Sequence, residues 1–159
     1  MEMKAIGTIH TPFTNRKGMP IQPAGAVDVC GTVELLEEYW PGIKDLDGFS
    51  HIVLLYVFHR SEGFSLEVTP FMDTQSHGLF STRAPKRPNP IGMSVVKLDR
   101  MDEGTLHVRN VDILDGTPLL DIKPYVPEFD HHVDVRTGWL EEARKTVALR
   151  KSDNRFIID

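Results

Sequence analysis

The chain has 159 residues, of which 40% are apolar and 26% charged, so it can bury one core and is short for two domains. No apolar run approaches the roughly 20 residues that a transmembrane helix needs, and the start of the chain shows no leader, which predicts a cytoplasmic protein. The formal net charge of −5 argues against a protein that coats nucleic acid non-specifically, but it allows a local basic patch.

Short β-strands dominate the chain up to about residue 123. Residues 4–10 and 27–36 are the first two strand candidates, and a turn-rich stretch separates them. Residues 40–46 can hold one helical turn. In residues 51–59 nearly every side chain is apolar, which predicts a strand that is covered on both faces.

The next strands are predicted around a hairpin. Residues 93–98 and 105–112 flank the turn at residues 102–104, and residues 119–123 give one more strand before Pro124 stops the pairing. We expect the long helix near the C-terminus to begin after Thr137 as its N-cap, with Leu140, Ala143 and Val147 on one face.

The predicted fold is mainly β: a small antiparallel β-barrel with short helices and a C-terminal helix. One long helix cannot supply the crossovers of a parallel sheet, and no Gly-x-Gly-x-x-Gly motif follows a strand, so a Rossmann fold is disfavoured. We expect the barrel domain to span residues 1–135, and residues 136–159 to form a helix and tail packed on the same domain.

The segment of residues 80–94 combines cations with three prolines. Prolines restrict their own φ and the preceding residue, so Arg83, Lys86 and Arg87 are predicted to lie on a stiff loop that cannot pair as a strand. A pre-ordered arginine suits a phosphate, a carboxylate or a stacked base. The alternative is a rigid, solvated basic turn.

Three aspartates, Asp112, Asp115 and Asp121, lie among apolar residues in the segment of residues 112–127. Burying a carboxylate is costly unless hydrogen-bond donors or a ligand satisfy it. A ribose, an adenine amino group or an ammonium group would do so. The alternative for Asp115-Gly116-Thr117-Pro118 is an ordinary β-turn between strands.

Several ordered motifs carry a family resemblance. Residues 87–92 (Arg-Pro-Asn-Pro-Ile-Gly), 115–118 (Asp-Gly-Thr-Pro) and 121–125 (Asp-Ile-Lys-Pro-Tyr) resemble the signature stretches of the TsaA-like, or TrmO, family of S-adenosylmethionine-dependent tRNA methyltransferases. Further pieces at residues 6–13, 22–25 and 46–51 keep the same order. The resemblance runs from about residue 4 to about residue 130.

The resemblance implies a β-barrel that binds S-adenosylmethionine outside the Rossmann framework and forms a homodimer, with the cofactor near the subunit interface. It also implies methyl transfer to N6 of N6-threonylcarbamoyladenosine, next to the anticodon on its 3′ side, in a tRNA. Some relatives carry a further C-terminal domain, and the reaction requires no metal.

The same resemblance suggests roles for individual residues. Arg83 or Arg87 would hold the methionine carboxylate or a tRNA phosphate, and Asp112 or Asp115 the polar edges of the nucleoside. The implied cofactor site comprises Gln22, Pro23, Ala24, Gly25, Phe58, His59, Arg60, Arg83, Arg87, Met93, Asp112, Ile113, Leu114, Asp115, Gly116 and Thr117.

The amide-like N6 of the modified base is a poor nucleophile, so a proton acceptor would assist the transfer. His59 has a suitable intrinsic pKa, and Tyr125 and Asp121 are competing candidates. Phe58, Phe80 and Tyr125 are candidates for stacking on a base.

The sequence is also consistent with other functions. The same site could serve another RNA or a small-molecule acceptor, because fold and cofactor do not determine the acceptor. A noncatalytic S-adenosylmethionine sensor and a purely structural barrel module are further alternatives. An RNA-facing patch, if present, would contain Arg83, Lys86, Arg87, Lys97 and Arg100.

Overall fold

Eight β-strands and several short helices make up the computed structural model, which describes residues 2–15, 19, 26–71 and 73–143. Six strands close into an antiparallel barrel in the order β1-β2-β7-β6-β3-β8, and β4 and β5 form a separate two-stranded sheet. This confirms the predicted mainly-β, non-Rossmann barrel. The strands are β1 Gly7–His10, β2 Cys30–Leu35, β3 His51–Val57, β4 Glu67–Val68, β5 His77–Gly78, β6 Ile91–Asp102, β7 Thr105–Arg109 and β8 Thr117–Pro124.

The helices within the described residues are all short. There, 3₁₀ segments span Glu37–Ile43, Leu46–Gly48 and Leu79–Ser81, and α-helical turns follow β8 at Pro127–Asp130 (α1) and Leu140–Ala143 (α2). None of the helices in the described ranges is long and apolar enough to cross a membrane.

The start of the C-terminal segment contacts the rest of the chain through Trp139. Its indole Nε1 donates to the Ser81 carbonyl at 3.0 Å, and its ring stacks on His77 with centroids 4.4 Å apart. The Thr137 hydroxyl is buried without a hydrogen bond, so it does not act as the predicted N-cap. The part of the predicted helix beyond Ala143, including Val147, lies outside the described residues, and the division at residue 135 stays a prediction.

The barrel interior follows the two-residue period of its strands. In β3, Ile52 and Leu54 are fully buried and Tyr56 is 6% exposed, whereas the alternating Val53 and Leu55 face outward and are only partly buried. In the single chain, the predicted cover of this strand is therefore complete on the inner face and partial on the outer face.

The predicted hairpin between β6 and β7 is confirmed. Glu103 and Gly104 form its two-residue turn with φ angles of 39° and 80°, the left-handed pair that matches the twist of the flanking strands. The Gly104 carbonyl accepts from the Leu35 N–H at 3.0 Å, and the Trp40 indole donates to the Leu35 carbonyl at 3.0 Å. The turn is therefore docked against the end of β2.

Strand β8 differs from its predicted form at two points. Pro124 still lies in register with Ile52, and the next N–H, that of Tyr125, donates to the His51 carbonyl at 3.1 Å, so pairing with β3 does not stop before Pro124. The register between β3 and β8 also shifts between Leu55 and Tyr56. Leu55 consequently pairs with Asp121, which lies on the outer face of the barrel.

Four strands bring their termini to one end of the barrel. Strands β1 and β3 finish there at His10 and Val57, and β6 and β8 begin there at Ile91 and Thr117. We call this the site end, because the segments predicted to bind the cofactor, residues 58–60, 83–90 and 112–117, adjoin it. The opposite end contains His51 and Pro124.

Candidate cofactor and acceptor site

Asp115 holds two loops together at the site end. Its Oδ1 accepts from the Thr11 N–H at 3.0 Å, and the Thr11 hydroxyl donates to the Ile113 carbonyl at 2.7 Å. The Thr11 N–H, assisted by His10, keeps the pKa of Asp115 below its usual value. Asp115 is therefore an ionised carboxylate whose hydrogen bonds are directed to the protein.

Asp112 lies at the open end of a buried polar chain. The Ser94 hydroxyl donates to Asp112 Oδ1 at 2.7 Å, and the Tyr56 hydroxyl lies 3.1 Å from the same Ser94 oxygen. Burial raises the pKa of Asp112 from 3.8 to about 6, against the opposing effects of the Ser94 hydrogen bond, its own backbone N–H and the Arg83 charge. Burial likewise raises the pKa of Tyr56, which stays a neutral phenol.

The position of Tyr56 depends on a glycine in the neighbouring strand. Gly92 pairs with Tyr56, and a Cβ atom at Gly92 would collide with the tyrosine ring. Phe58 packs edge-on against Tyr56 with ring centroids 5.5 Å apart, and its N–H donates to the Pro90 carbonyl at 2.7 Å. The strand end at Phe58 is thereby tied to the proline-rich loop.

The hydrogen bonds of Thr117 define the tautomer of His59. Thr117 Oγ1 lies 2.6 Å from the Leu114 carbonyl oxygen and 3.3 Å from His59 Nδ1. A carbonyl oxygen only accepts, so the single hydroxyl proton goes to Leu114 and Oγ1 must accept from Nδ1–H. In this tautomer of the neutral ring, the lone pair lies on Nε2.

The proline-rich loop is organised by Arg87. Its Nη1 points at three backbone carbonyls, those of Leu79, Thr82 and Ala84, at 3.4, 3.0 and 3.4 Å. Arg83 is exposed, and its charge acts on both Asp112 and Tyr56. The charge of Arg83 therefore reaches the buried polar chain, whereas Arg87 holds the loop on which Arg83 lies.

The three candidate bases do not lie close together in this chain. His59 lies at the site end, whereas Tyr125 lies at the opposite end, with its ring centroid 6.4 Å from that of His51. The two ends of β3 are about 20 Å apart at about 3.3 Å per residue. Asp121 lies on the outer face, where its carboxylate pairs with Lys123 Nζ at 2.8 Å. Of the three, only His59 adjoins the polar groups at the site end.

The remaining predicted cofactor residues do not all lie at the site end. Arg60 is at the site end, where its Nη1 donates to the Thr14 carbonyl at 3.2 Å. Met93 is 48% exposed on the outer face of β6, opposite to the side on which Ser94 points inward. Gln22, Pro23, Ala24 and Gly25 lie outside the described residues. Ile113, Leu114 and Gly116 lie just before β8, and Thr117 is the first residue of that strand.

Ser94 and Tyr56 were not predicted to belong to the site. Both had a detectable signal, because Ser94 interrupts an inward row of Val96 and Leu98 in β6, and Tyr56 continues the inward row of β3. A hydroxyl on an inward row must find a buried partner. No three His, Cys, Asp or Glu side chains cluster as metal ligands in the part of the chain that is described.

Comparisons with known proteins identify the family. The tRNA-methyltransferase O N-terminal domain matches residues 8–131. A probable S-adenosyl-L-methionine-binding protein of Pyrococcus abyssi is 53% identical over 153 residues, which cover 96% of this chain and 83% of that protein. A tRNA (adenine(37)-N6)-methyltransferase of Mus musculus is 33% identical over 132 residues, which cover 79% of this chain and 31% of that protein.

The crystal structure of TrmO from Pseudomonas aeruginosa has 38% sequence identity and a TM-score of 0.74, and the match covers 87% of this chain and 62% of that one. The chain thus spans less than two thirds of that structure and about a third of the mouse enzyme. The family match over most of the barrel and the likeness in fold agree with the motifs in residues 87–92 and 115–118. The chain belongs to the TrmO family, through its tRNA-methyltransferase O N-terminal domain.

Proposed function

We propose that this protein is an S-adenosylmethionine-dependent methyltransferase that acts on N6 of N6-threonylcarbamoyladenosine, next to the anticodon on its 3′ side, in a tRNA. The observation that carries the proposal is that two polar groups lie at the same end of a TrmO-family barrel. These groups are the Asp112–Ser94–Tyr56 chain and the His59–Thr117 pair.

The residues at the site end fit the proposed cofactor. Asp112 is a mostly buried carboxyl with a raised pKa, so a cationic ligand or a hydrogen-bond donor would favour its ionised form. S-adenosylmethionine offers such groups in its ammonium, its ribose and its adenine amino group, and Arg83 can pair with its carboxylate. When bound, the cofactor supplies a methyl group already activated on a sulfonium.

This chain's residues then have two tasks. The first is positioning, which removes about 7–11 kcal/mol of a barrier in favourable cases. The second is removal of the proton from the acceptor N6, for which His59 Nε2 is the candidate because Thr117 holds the proton on Nδ1. General bases of this kind contribute about 10²–10⁴-fold to a rate.

The proposal extends to assembly and location. Val53, Leu55 and Val57 pair with Val95, Met93 and Ile91, so the outer face of β3 and β6 carries a continuous apolar stripe, with charged Asp121 and Lys123 beside it on β8. An apolar centre with a charged rim is typical of a subunit interface. We therefore propose a homodimer through this stripe, in which Met93 and Asp121 line the interface, and a cytoplasmic location.

The test is methyl transfer itself. The purified protein is incubated with methyl-labelled S-adenosylmethionine and with tRNA that carries or lacks the threonylcarbamoyl group, and the nucleosides are analysed by mass. We expect one added methyl on the modified adenosine and none on the unmodified one. A methyl on unmodified RNA would contradict the proposed acceptor.

The same assay tests the role of His59. Thr117→Val removes the hydroxyl that holds Nδ1–H, so we expect kcat to fall by about 10–100-fold and the pH profile of kcat to shift. Thr117→Ser keeps the hydroxyl and should restore the rate. Equal rates in Thr117→Val and the unaltered protein would contradict the tautomer argument.

A noncatalytic S-adenosylmethionine-binding protein is the second candidate. It is favoured by the relatives named only as binding proteins, including one of Archaeoglobus fulgidus that is 37% identical over 130 residues, 93% of its own length. Tight cofactor binding without transfer to any RNA in a whole tRNA pool would support this function over the first.

A further inference from the structure

An exposed aromatic ring stands on the proline-rich loop beside the site end. Phe80 is 73% exposed, although the preceding residue, Leu79, is only 1% exposed. We propose that the open face of Phe80 stacks on a base of the single-stranded loop of the tRNA acceptor. This inference rests on the proposed tRNA substrate, and it adds the surface that recognises it.

The turn that carries Phe80 is pinned on both sides. The Thr82 hydroxyl donates to the Leu79 carbonyl at 2.8 Å, and the Ser81 hydroxyl donates to the Gly78 carbonyl at 2.8 Å. Trp139 donates to the Ser81 carbonyl, and Leu79 packs in a small apolar cluster with Ala84. A ring that projects from a fixed turn loses little entropy when a ligand stacks on it.

Arg87 supports the ring from one side. Its guanidinium carbon lies 5.6 Å from the centroid of the Phe80 ring, within the range of a cation–π contact. The carbonyls of Leu79, Thr82 and Ala84 hold the same guanidinium in place. A cation on one face of the ring leaves the opposite face for a planar ligand.

The surroundings of Phe80 suit RNA better than an apolar protein partner. Arg83, Lys86 and Arg87 lie within seven residues of the ring, on a chain whose formal net charge is −5. Proteins that bind single-stranded nucleic acid combine such a local positive charge with an aromatic ring on which a base stacks. Arg83 also links this surface to the site end, because its charge acts on Asp112.

The test compares tRNA binding by Phe80→Leu and Phe80→Trp with that of the unaltered protein. Leucine keeps the apolar bulk but not the π-face, so we expect Kd for threonylcarbamoylated tRNA to rise by about five- to 150-fold, the range of one base–aromatic stack. Tryptophan should bind tRNA at least as tightly as the unaltered protein. Neither variant should change the affinity for S-adenosylmethionine or the oligomeric state in solution.

Salt dependence separates stacking from charge. Phe80→Leu should weaken binding without changing the slope of log Kd against log salt concentration, because no phosphate contact is lost. Lys86→Gln should reduce that slope by about 0.7 for one lost contact to single-stranded RNA.

Each other outcome overturns the stacking surface. If Phe80→Leu binds tRNA as well as the unaltered protein does, the surface is wrong while methyl transfer by the unaltered protein still upholds the proposed function. If Phe80→Leu changes the cofactor affinity, Phe80 belongs to the cofactor site. If it changes the oligomeric state, Phe80 belongs to a subunit contact. If the unaltered protein binds no tRNA, the surface and the proposed tRNA substrate fail together.

Discussion

Asp112 places an ionisable carboxyl where water has little access, and this has a cost for the folded protein. Its pKa is about 6 in the folded state against about 3.8 when exposed, so the unfolded chain loses the proton first as pH rises. The free energy of unfolding therefore falls as pH rises through that window. Above it the cost is up to about 3 kcal/mol, at about 1.4 kcal/mol per pKa unit.

Asp112→Asn should relieve this cost. The amide oxygen still accepts from the Ser94 hydroxyl, but nothing needs to ionise, so we expect the free energy of unfolding without cofactor to rise by about 1–3 kcal/mol at pH 7.5. The gain should shrink as pH falls through that window and vanish only below the unfolded-state pKa of about 3.8, at about pH 3, where the carboxyl is protonated in both the folded and the unfolded protein. Urea unfolding at the two pH values measures it.

The matched control is Asp121→Asn. That carboxylate is exposed and paired with Lys123 on the outer face, so we expect its loss to change the free energy of unfolding by less than about 0.5 kcal/mol at either pH. A gain of the same size at both pH values for Asp112→Asn would contradict the ionisation argument.

The sequence could single out Asp112, because an acid among apolar residues implies burial, but it could not distinguish neighbouring roles. Asp115 has similar neighbours in the sequence, yet its carboxylate accepts from the N–H of Thr11, which lies 104 residues earlier in the chain. Arg87 is as cationic as Arg83, yet its guanidinium is held by loop carbonyls. Such differences depend on contacts that only the folded chain creates.

The β6–β7 hairpin depends on a glycine for two reasons. Gly104 has a φ of 80°, which strains any other residue, and a Cβ there would collide with the Trp40 indole. We expect Gly104→Ala to lower the free energy of unfolding by about 2–4 kcal/mol, the sum of backbone strain and overpacking. Urea unfolding measures the loss.

Gly116 separates the two causes. Its φ is 73°, but nothing lies within 4 Å of a Cβ at that position, so Gly116→Ala should cost only the strain, about 1 kcal/mol. In a Trp40→Ala background the extra cost of Gly104→Ala should disappear. An equal cost for both alanine variants in the unaltered background would show that the indole gives way freely.

At the level of elements, local patterns predicted most of the barrel. A few neighbouring residues suffice to predict the turn at Glu103 and Gly104 and the apolar strand β3. The structure contains both that strand and the β6–β7 hairpin. The shift in register near Leu55 was not predicted, because it arises from pairing with a strand more than 60 residues away. That shift decides the outward position of Asp121.

The apolar stripe of β3 and β6 lies on the outer surface of the barrel. Leu55 lies in the middle of that stripe, between its partners Met93 on β6 and Asp121 on β8. Burying such a stripe against a second copy removes apolar surface from water at about 25 cal/mol per Å². The proposed homodimer would cover the apolar outer positions of β3, which the single chain leaves only partly buried.

Leu55→Glu should therefore convert a dimer into a monomer, because a buried, unpaired carboxylate at the centre of an interface is strongly unfavourable. Light scattering after size-exclusion chromatography should give about 36 kDa for the unaltered protein, twice 18.0 kDa, and about 18 kDa for the variant.

Lys97→Glu is the matched control, because Lys97 is 46% exposed on the same face of β6 and lies at the rim. It should stay dimeric. An unaltered protein of 18 kDa across micromolar concentrations would contradict the proposed homodimer, and circular dichroism must show that Leu55→Glu keeps the barrel for its mass to count.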